Sequence, residues 1–423
     1  MPESTSKKSA TPERTPEPAG NGALAPADGA RAILDACLAS ERWSEPLLRA
    51  LIEQAGSSDG SRALFGLAES LSDRFEPALV DCYAAIFAEA IAAAALQYKV
   101  AELLARYGRV RRPRQFDGRE PQTVYVLSRV TLGADIAVTS VMLDAAKRRF
   151  PKARIVFCGS RKSFELFAGD RRIEHMLVAY GRDGGLRERL LTCPRLDSDG
   201  AIVIDPDSRL TQLGLVPICP EENYYFFESR SYGAEGGDSL ARLAGRWASE
   251  TFGVDAARPY AAPLPVDLPF AGAPVAVSFG VGGNAAKRIH DPFEQLLLAE
   301  IVKRGFEVVI DTGPGGEEAE RVERAVAAVC AAIPNARIET WRGSFAAFLN
   351  AIARSRLYVG YDSAGQHAAA ALGIPVISVF AGFPCERFLA RWHPTGSAPV
   401  QVVRADSGDP AAVLAQCRWP EDD

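Results

Sequence analysis

One stretch near the end of the chain constrains its fold more than any other: LYVGYDSAGQHAAAALGIPVISVFAG, residues 357–382. Leu357, Tyr358 and Val359 form a β-prone run, Ala368 to Leu372 favours helix, and Ile374 to Phe380 is β-prone again, so the order is strand, turn, helix, strand. Asp362 and Ser363 stand where strand hands over to helix, placed to accept a hydrogen bond from an unpaired amide of the first helical turn. Gly373 and Pro375 supply the matching stop signal. In open parallel sheets, the carboxyl ends of strands and the amino ends of the following helices are where ligands bind, because free amides and the helix dipole attract anions. The stretch predicts an αβ unit whose front takes a phosphate, against the plainer reading that Asp362 and Ser363 only cap a helix.

The same alternation recurs through the chain from Val124 onward. VYVLS is followed by a Thr131–Asp135 turn, an amphipathic helix running to Phe150 and the strand ARIVFCG. VAVSFG, the glycine turn GVGGN, a helix around Glu294 to Arg304 and the strand FEVVIDTG repeat that order. Two αβα domains are expected, 123–265 and 266–423, hinged through the four prolines of Pro263 to Pro274. AIVIDPDS, 201–208, adds a strand ending in carboxylates, while Tyr224 to Phe227 and Gly233 to Gly237 read as loops at a domain face.

Ahead of these domains, residues 1–28 are too rich in Pro, Ser, Thr, Glu and Gly to bury a core, which predicts a disordered tail. Residues 29–108 carry Ala and Leu at helical spacing, with Leu47, Leu48, Leu51 and Ile52 as one stripe. Ile86, Ile91, Leu96, Val100, Leu103 and Leu104 belong to another. This helical module has no cluster of catalytic residue types and reads as a packing or oligomerisation appendage. A basic, proline-bearing linker, 109–122, joins it to the first αβα domain.

Composition narrows the function classes. A net charge of −5 over 423 residues is wrong for a general nucleic-acid binder, which needs a basic face. Eight cysteines without a Cys-x-x-Cys pair suit neither a zinc site nor a disulfide framework, and point to a reducing cytosol. The N-terminus lacks the order of a signal peptide, and the apolar run Tyr83 to Tyr98 reads as too short and too weakly hydrophobic to span a bilayer. A soluble cytoplasmic protein is expected.

Four motifs then point one way. Asp362-Ser363-Ala364-Gly365-Gln366-His367 with Gly373-x-Pro375 resembles the Asp-Ser/Thr-Gly-x-x-His signature of glycosyltransferase family 9, the ADP-heptose:lipopolysaccharide heptosyltransferases. Arg129-x-Thr131-x-x-Ala134-Asp135, with a helix ending Arg149-Phe150-Pro151, is similar to that family's first loop and helix. Lys287-Arg288 and Arg391-Trp392-x-Pro394 match its Lys-Arg pair and Arg-Trp-x-Pro segment. The likeness spans Val124 to Pro394 and keeps the order of the motifs. Ala134 and Ala364 stand where the family has glycine, Val141 where it usually has proline, and Thr211 near a position that is commonly basic. Alanine adopts positive φ less freely than glycine, which limits how closely the backbone approaches a ligand.

The resemblance implies a GT-B fold, two facing Rossmann-like domains with the acceptor on the first and the nucleotide-sugar donor on the second. It also implies an inverting, metal-independent transfer of a sugar, usually a heptose from ADP-heptose, to a saccharide or glycolipid acceptor such as lipopolysaccharide core. No cofactor and no metal are expected, and membrane contact is at most peripheral, at the cytoplasmic face of the inner membrane. The reaction needs a base for the incoming hydroxyl and positive charge for the departing diphosphate. Asp135 is the candidate base, expected at the mouth of the first domain. Lys287, Arg288, Asp362, Ser363, Ala364, Gly365 and His367 are the candidate donor and phosphate set, His367 in an ordering role. Arg129, Thr131, Gly133, Gly282, Gly283, Asn284 and Gly313 complete the loops of the cleft.

Rival readings have their own residues. Asp205-Pro206-Asp207 offers a carboxylate pair for a divalent metal, as another glycosyltransferase class would use, or two simple loop caps. The Asp311 to Gly316 turn lacks dinucleotide-fingerprint spacing and reads as a loop facing the nucleotide. A nucleotide-sugar epimerase or hydrolase would turn over donor without acceptor, and a non-catalytic nucleotide-sugar-binding protein would have no need to keep Asp135, Lys287, Asp362 and His367 together.

Overall fold

The computed structural model describes residues 24–181, 184–196 and 199–419. Most of the tail expected over 1–28 lies outside them, and Pro26–Leu38 already forms the first helix, so the helical module begins earlier than its composition suggests. Its five helices are α1 (Pro26–Leu38), α2 (Glu45–Gln54), α3 (Ser58–Ser72), α4 (Pro77–Ala94) and α5 (Val100–Val110). α4 is long and apolar enough to cross a membrane by composition, contrary to the expectation drawn from a window that began at Tyr83. Its face of Leu79, Val80, Tyr83, Ile86, Phe87 and Ile91 is buried within the protein, and the Tyr83 hydroxyl donates to the Gln212 carbonyl at 3.0 Å. Leu96, expected in the apolar stripe, is 94% exposed, because α4 ends two residues earlier.

The first αβα domain runs β1 (Thr123–Leu127), α6 (Leu132–Ala134), a π-helical turn (Asp135–Thr139), α7 (Ser140–Arg149), β2 (Arg154–Gly159), α8 (Arg161–Phe164) and β3 (Ile173–Leu177). α9 (Leu186–Leu191), β4 (Ala201–Asp205), β5 (Tyr224–Phe226) and α10 (Leu240–Phe252) follow. The second runs β6 (Val275–Ser278), α11 (Phe293–Lys303), β7 (Val308–Asp311), α12 (Gly316–Ala332), β8 (Ile338–Trp341) and α13 (Phe345–Arg354). It ends with β9 (Leu357–Tyr361), α14 (Ala364–Ala371), β10 (Val376–Phe380), α15 (Glu386–Arg391), β11 (Val400–Arg404) and α16 (Pro410–Leu414). The first sheet has the order β3-β2-β1-β4-β5 and the second β11-β10-β9-β6-β7-β8, every pairing parallel. This is the GT-B architecture of two Rossmann-like halves.

Both faces of a parallel sheet are covered, so its strands read as continuous apolar runs. β4 is buried at all five residues, β9 likewise. Tyr224 to Phe226, expected in a loop, is instead the edge strand β5. Tyr224 and Phe226 enter the core shared with the helical module, whereas Tyr225 enters the core on the opposite face, the period-two pattern of a strand buried on both sides. The Tyr224 hydroxyl donates to Asp205 at 2.6 Å, which anchors that edge.

The order of the sheets fixes where loops converge. All strands run the same way, but the order in which the chain adds them reverses between β1 and β4 in the first sheet and between β6 and β9 in the second, the crevices where α/β sheets bind ligands. The two halves meet through one apolar core that holds Ile136, Ala137 and Val141 of the first together with Ala368, Ala369 and Phe388 of the second. The alanine run of α14 has no bulk to hold the π-helical turn away, which explains its composition without reference to ligand.

Candidate active site at the cleft

The loops after β6 and β9 carry the C-terminal half of the site. Gly282 and Gly283 turn the chain with φ of 63° and 87°, and Asn284 caps the next turn by accepting from the Ala286 amide at 3.1 Å. That turn delivers Lys287 to Asp362. The Lys287 Nζ lies 2.6 Å from Asp362 Oδ2 and 3.3 Å from its carbonyl oxygen. Asp362 Oδ1 accepts from Gln366 Nε2 at 2.5 Å, and Gln366 is in turn held by the Ser378 hydroxyl. Burial raises the Asp362 carboxyl above its usual range while Lys287 and Gln366 pull it down.

Neither Asp362 nor Ser363 caps α14, contrary to the capping expectation. Asp362 is committed to Lys287 and Gln366, and Ser363 makes no side-chain bond to the helix. The first amides of α14 are left without a side-chain cap beside a cation, the arrangement that suits an anionic group. Gly365 answers to packing, since a Cβ there would lie 2.0 Å from the Tyr358 hydroxyl. His367 is buried against Trp392, ring centroids 5.7 Å apart. Burial, with help from Lys287 and His393, depresses its imidazole to about 3 and keeps it neutral.

The loop after β1 faces this cluster from the first domain. A Cβ at Gly133 would sit 3.2 Å from the Ala364 Cα and 3.4 Å from His367 Cδ2, so the two loops touch where both signatures are built from small residues. Thr131 precedes α6 without capping it. Arg129 reaches sideways, donating to the Pro206 carbonyl and the Ser229 hydroxyl at 2.8 Å each.

Asp135 departs from its expected position at an open mouth. It is fully buried and accepts from the Ser128 hydroxyl (2.7 Å), the Arg129 amide (2.7 Å) and the Thr139 hydroxyl (2.8 Å). The carboxylate locks the loop that precedes it, and desolvation raises its pKa against those bonds. It opens the π-helical turn, a local widening that recurs at functional sites.

Other candidates are not drawn together. Arg288 points to Glu294 (3.5 Å) and Asp291 (3.7 Å), away from Lys287. Gly313, φ 73°, lies one strand farther out, packed on Glu318 beside a buried Asp311 whose carboxyl is pushed up to about 6. Asp205 accepts from the Ser208 amide and the Thr211 and Tyr224 hydroxyls, and Asp207 pairs with Arg230 at 3.1 Å. Both aspartates are buried and turned to donors of the loop, so the pair is a scaffold rather than a preformed cation seat.

Sequence reasoning missed the groups that tie the halves together. Arg391 is buried and donates to the carbonyls of Asp238 and Gly233, both at 2.6 Å, which gives the glycine-rich segment its contact. Arg387 of the same helix donates to the Phe75 carbonyl at 2.7 Å, bringing the helical module to the C-terminal domain. The Arg-Trp-x-Pro motif signalled the first of these; nothing local signalled the second.

The signature of glycosyltransferase family 9 (heptosyltransferase) matches residues 285–404, which take in Lys287 and the whole of the Asp362 to His367 segment. The fold is similar to that of a family 9 glycosyl transferase from Veillonella parvula, with 16% identity, a TM-score of 0.50, and coverage of 72% of this chain and 92% of the other. A structure of the E. coli heptosyltransferase WaaC with ADP-2-deoxy-2-fluoro heptose aligns at 15% identity and TM-score 0.49, covering 70% and 98%. The E. coli ADP-heptose lipopolysaccharide heptosyltransferase II aligns at 15% and 0.45, covering 69% and 96%. No curated protein matches the chain by sequence.

Proposed function

We propose that this chain, a glycosyltransferase carrying a family 9 domain, moves a heptose from ADP-heptose to a saccharide acceptor such as lipopolysaccharide core, with inversion and without a metal ion. The reaction would run at the cytoplasmic face of the inner membrane, where a charged donor and a lipid-linked acceptor meet. The observation that carries this reading is Lys287 beside the uncapped amide end of α14 at the β6/β9 crevice. A diphosphate there gains a cation and free N–H donors, and the same groups neutralise the charge that develops as the sugar departs. Asp362, fixed by Gln366, aims the lysine; the neutral His367 fills the floor without adding charge.

The acceptor oxygen attacks the anomeric carbon from the face opposite the diphosphate, its proton passes to a base, and the electron pair of the broken bond leaves with ADP. Asp135 is the proposed base. Its carboxylate must first exchange the Arg129 amide for the acceptor hydroxyl, so the reaction asks the Ser128–Arg129 loop to open.

Calorimetry with ADP tests the donor placement. A charge-assisted contact is worth about 1.5–3 kcal/mol, so Lys287→Ala should weaken ADP binding by roughly 10- to 100-fold. Wild-type affinity in that variant would remove the diphosphate from this site. Transfer from ADP-heptose should persist in EDTA; loss that magnesium or manganese restores would overturn the metal-free mechanism.

A further inference from the structure

The α3–α4 turn, Asp73 to Glu76, leaves the helical module and enters the cleft. Phe75 is the module residue that joins the apolar core common to the two αβα halves, while the module's other buried apolar residues belong to the core beneath the first sheet. Its ring lies 6.4 Å from that of Phe388, which in turn lies 5.5 Å from the Lys287 Nζ. The Arg387 guanidinium holds the Phe75 carbonyl, and Phe75 takes a φ of 54°, a strained value for a side-chain-bearing residue that the surrounding contacts must enforce. On the other side, Arg209 of the loop after β4 pairs with Glu69 of α3 at 2.9 Å. The turn is therefore pinned from both domains.

Between those pins stands Asp73. It is half-buried, and among the described residues its carboxyl makes neither a hydrogen bond nor an ion pair. The charges that reach it are Glu69 and Asp362, which oppose its ionisation, and Arg209 and Lys287, which favour it. A carboxylate left open in such a place is matched by neutral O–H donors, and a sugar attached to a diphosphate at Lys287 supplies them. Burial, the largest effect on it, raises its pKa to about 6.

We propose that Asp73 is a substrate-binding carboxylate of the transfer cleft, presented by the helical module and accepting hydrogen bonds from sugar hydroxyls of the substrate beside Lys287. The inference rests on the donor assignment above and adds the module to the active site. The sugar belongs either to the donor or to the acceptor, and the experiment separates the two.

Full-length wild type, Asp73→Asn and Asp73→Ala are compared by calorimetry with ADP and with ADP-heptose, and by initial rates of ADP release with lipopolysaccharide core as acceptor. Because the carboxyl has no partner in the fold, melting temperatures should stay within a few degrees and ADP affinity within about twofold. If the donor's sugar is held, Asp73→Ala weakens ADP-heptose about 10-fold or more relative to ADP, and Asp73→Asn, which keeps an acceptor oxygen, recovers part of the loss. If the acceptor's sugar is held, donor affinity stays and the acceptor KM rises by a similar factor. Unchanged ADP-heptose affinity with unchanged acceptor KM would overturn the proposal, and so would tighter ADP binding in both variants, which would make Asp73 an opponent of the diphosphate. A wild-type protein that binds neither ligand would overturn the donor assignment and this inference with it, whereas wild-type binding with indifferent variants overturns this inference alone.

Discussion

Lowering the pH should destabilise the protein through His367, by an amount that the structure sets. In the unfolded chain this imidazole titrates near 6.5, whereas in the fold burial, assisted by Lys287 and His393, holds it at about 3. At pH 7 both states are largely neutral and the difference contributes little. As pH falls through 6.5 the unfolded chain takes up a proton that the native state refuses, so stability drops, and it goes on dropping until pH approaches 3. With those two values the loss between pH 7 and pH 5 is about 2 kcal/mol from this group alone. Selective 13C labelling of histidine gives four signals, His367 being assigned by its absence from His367→Gln, and its chemical shift should not titrate between pH 8 and pH 5. Denaturant unfolding at pH 7 and pH 5 should cost the wild type about 2 kcal/mol more than His367→Gln over the same interval. A resonance with a midpoint above about 5, or equal losses in the two proteins, would refute the reasoning. The same neutrality means that His367 contributes no inflection to the pH–rate profile in the working range.

Two further substitutions probe the frame of the cleft. Asp135→Asn puts an amide N–H₂ where a carboxylate oxygen now accepts, against the Ser128 hydroxyl or against the Arg129 amide and Thr139 hydroxyl, and should cost about 1–3 kcal/mol of stability, read by denaturant unfolding. An unchanged unfolding midpoint would show that the carboxylate does not lock the loop, and would leave loss of turnover in that variant as a pure effect on proton transfer. Phe75→Ala should cost about 3–5 kcal/mol, the scale for emptying a buried phenylalanine site, and raise hydrogen exchange in the α3–α4 turn. Unaltered exchange there would mean that the module is not anchored through this ring.

The strands were legible because burial on both faces leaves a distinctive text. VAVS, VVID and AIVID admit little besides β structure, and each hands over to glycine or aspartate where a parallel strand must turn. Lys287 and Asp362 could be paired in advance for the same reason: each follows a strand, and the two strands proved to be neighbours at the reversal of sheet order. What the side chains do after arriving was not legible. An aspartate at the end of a strand caps a helix, binds a lysine or ties a loop according to which donor lies nearest in space; Asp362 binds a lysine and Asp205 ties a loop, although each stands directly at the end of a buried strand. The edge strand Tyr224 to Phe226 escaped because four consecutive aromatics have no polar alternation to reveal their period.

The helical module was the hardest part to read, and the reason bears on how the enzyme moves. Its decisive contacts join Arg74 and Phe75 to Cys385 and Arg387, more than three hundred positions away, where no periodicity helps. The one local clue is Phe75 itself, a large aromatic within the polar turn Asp73-Arg74-Phe75-Glu76 that a solvated helix connection has no use for. A residue of that kind in such a turn has to be buried by something beyond its own helices. Here the burying surface is the C-terminal domain, while α4 and α5 are fastened to the N-terminal one through Tyr83 to Gln212 and through Arg106, which donates to the Gly214 carbonyl at 2.8 Å. The module thus spans both halves of the GT-B pair. Any opening of the cleft that admits substrate must either break the Arg387 to Phe75 bond and pull the ring from Phe388, or pivot about that contact and leave it whole. The second costs less, since a buried phenylalanine is worth about 1.5–3 kcal/mol of transfer free energy before any cavity term. Opening about Phe75 would swing the Gly133 loop away from Ala364 and His367 while the α3–α4 turn stays held by Arg387 and Phe388, so the carboxylate proposed to bind the sugar would already be in position before the domains close.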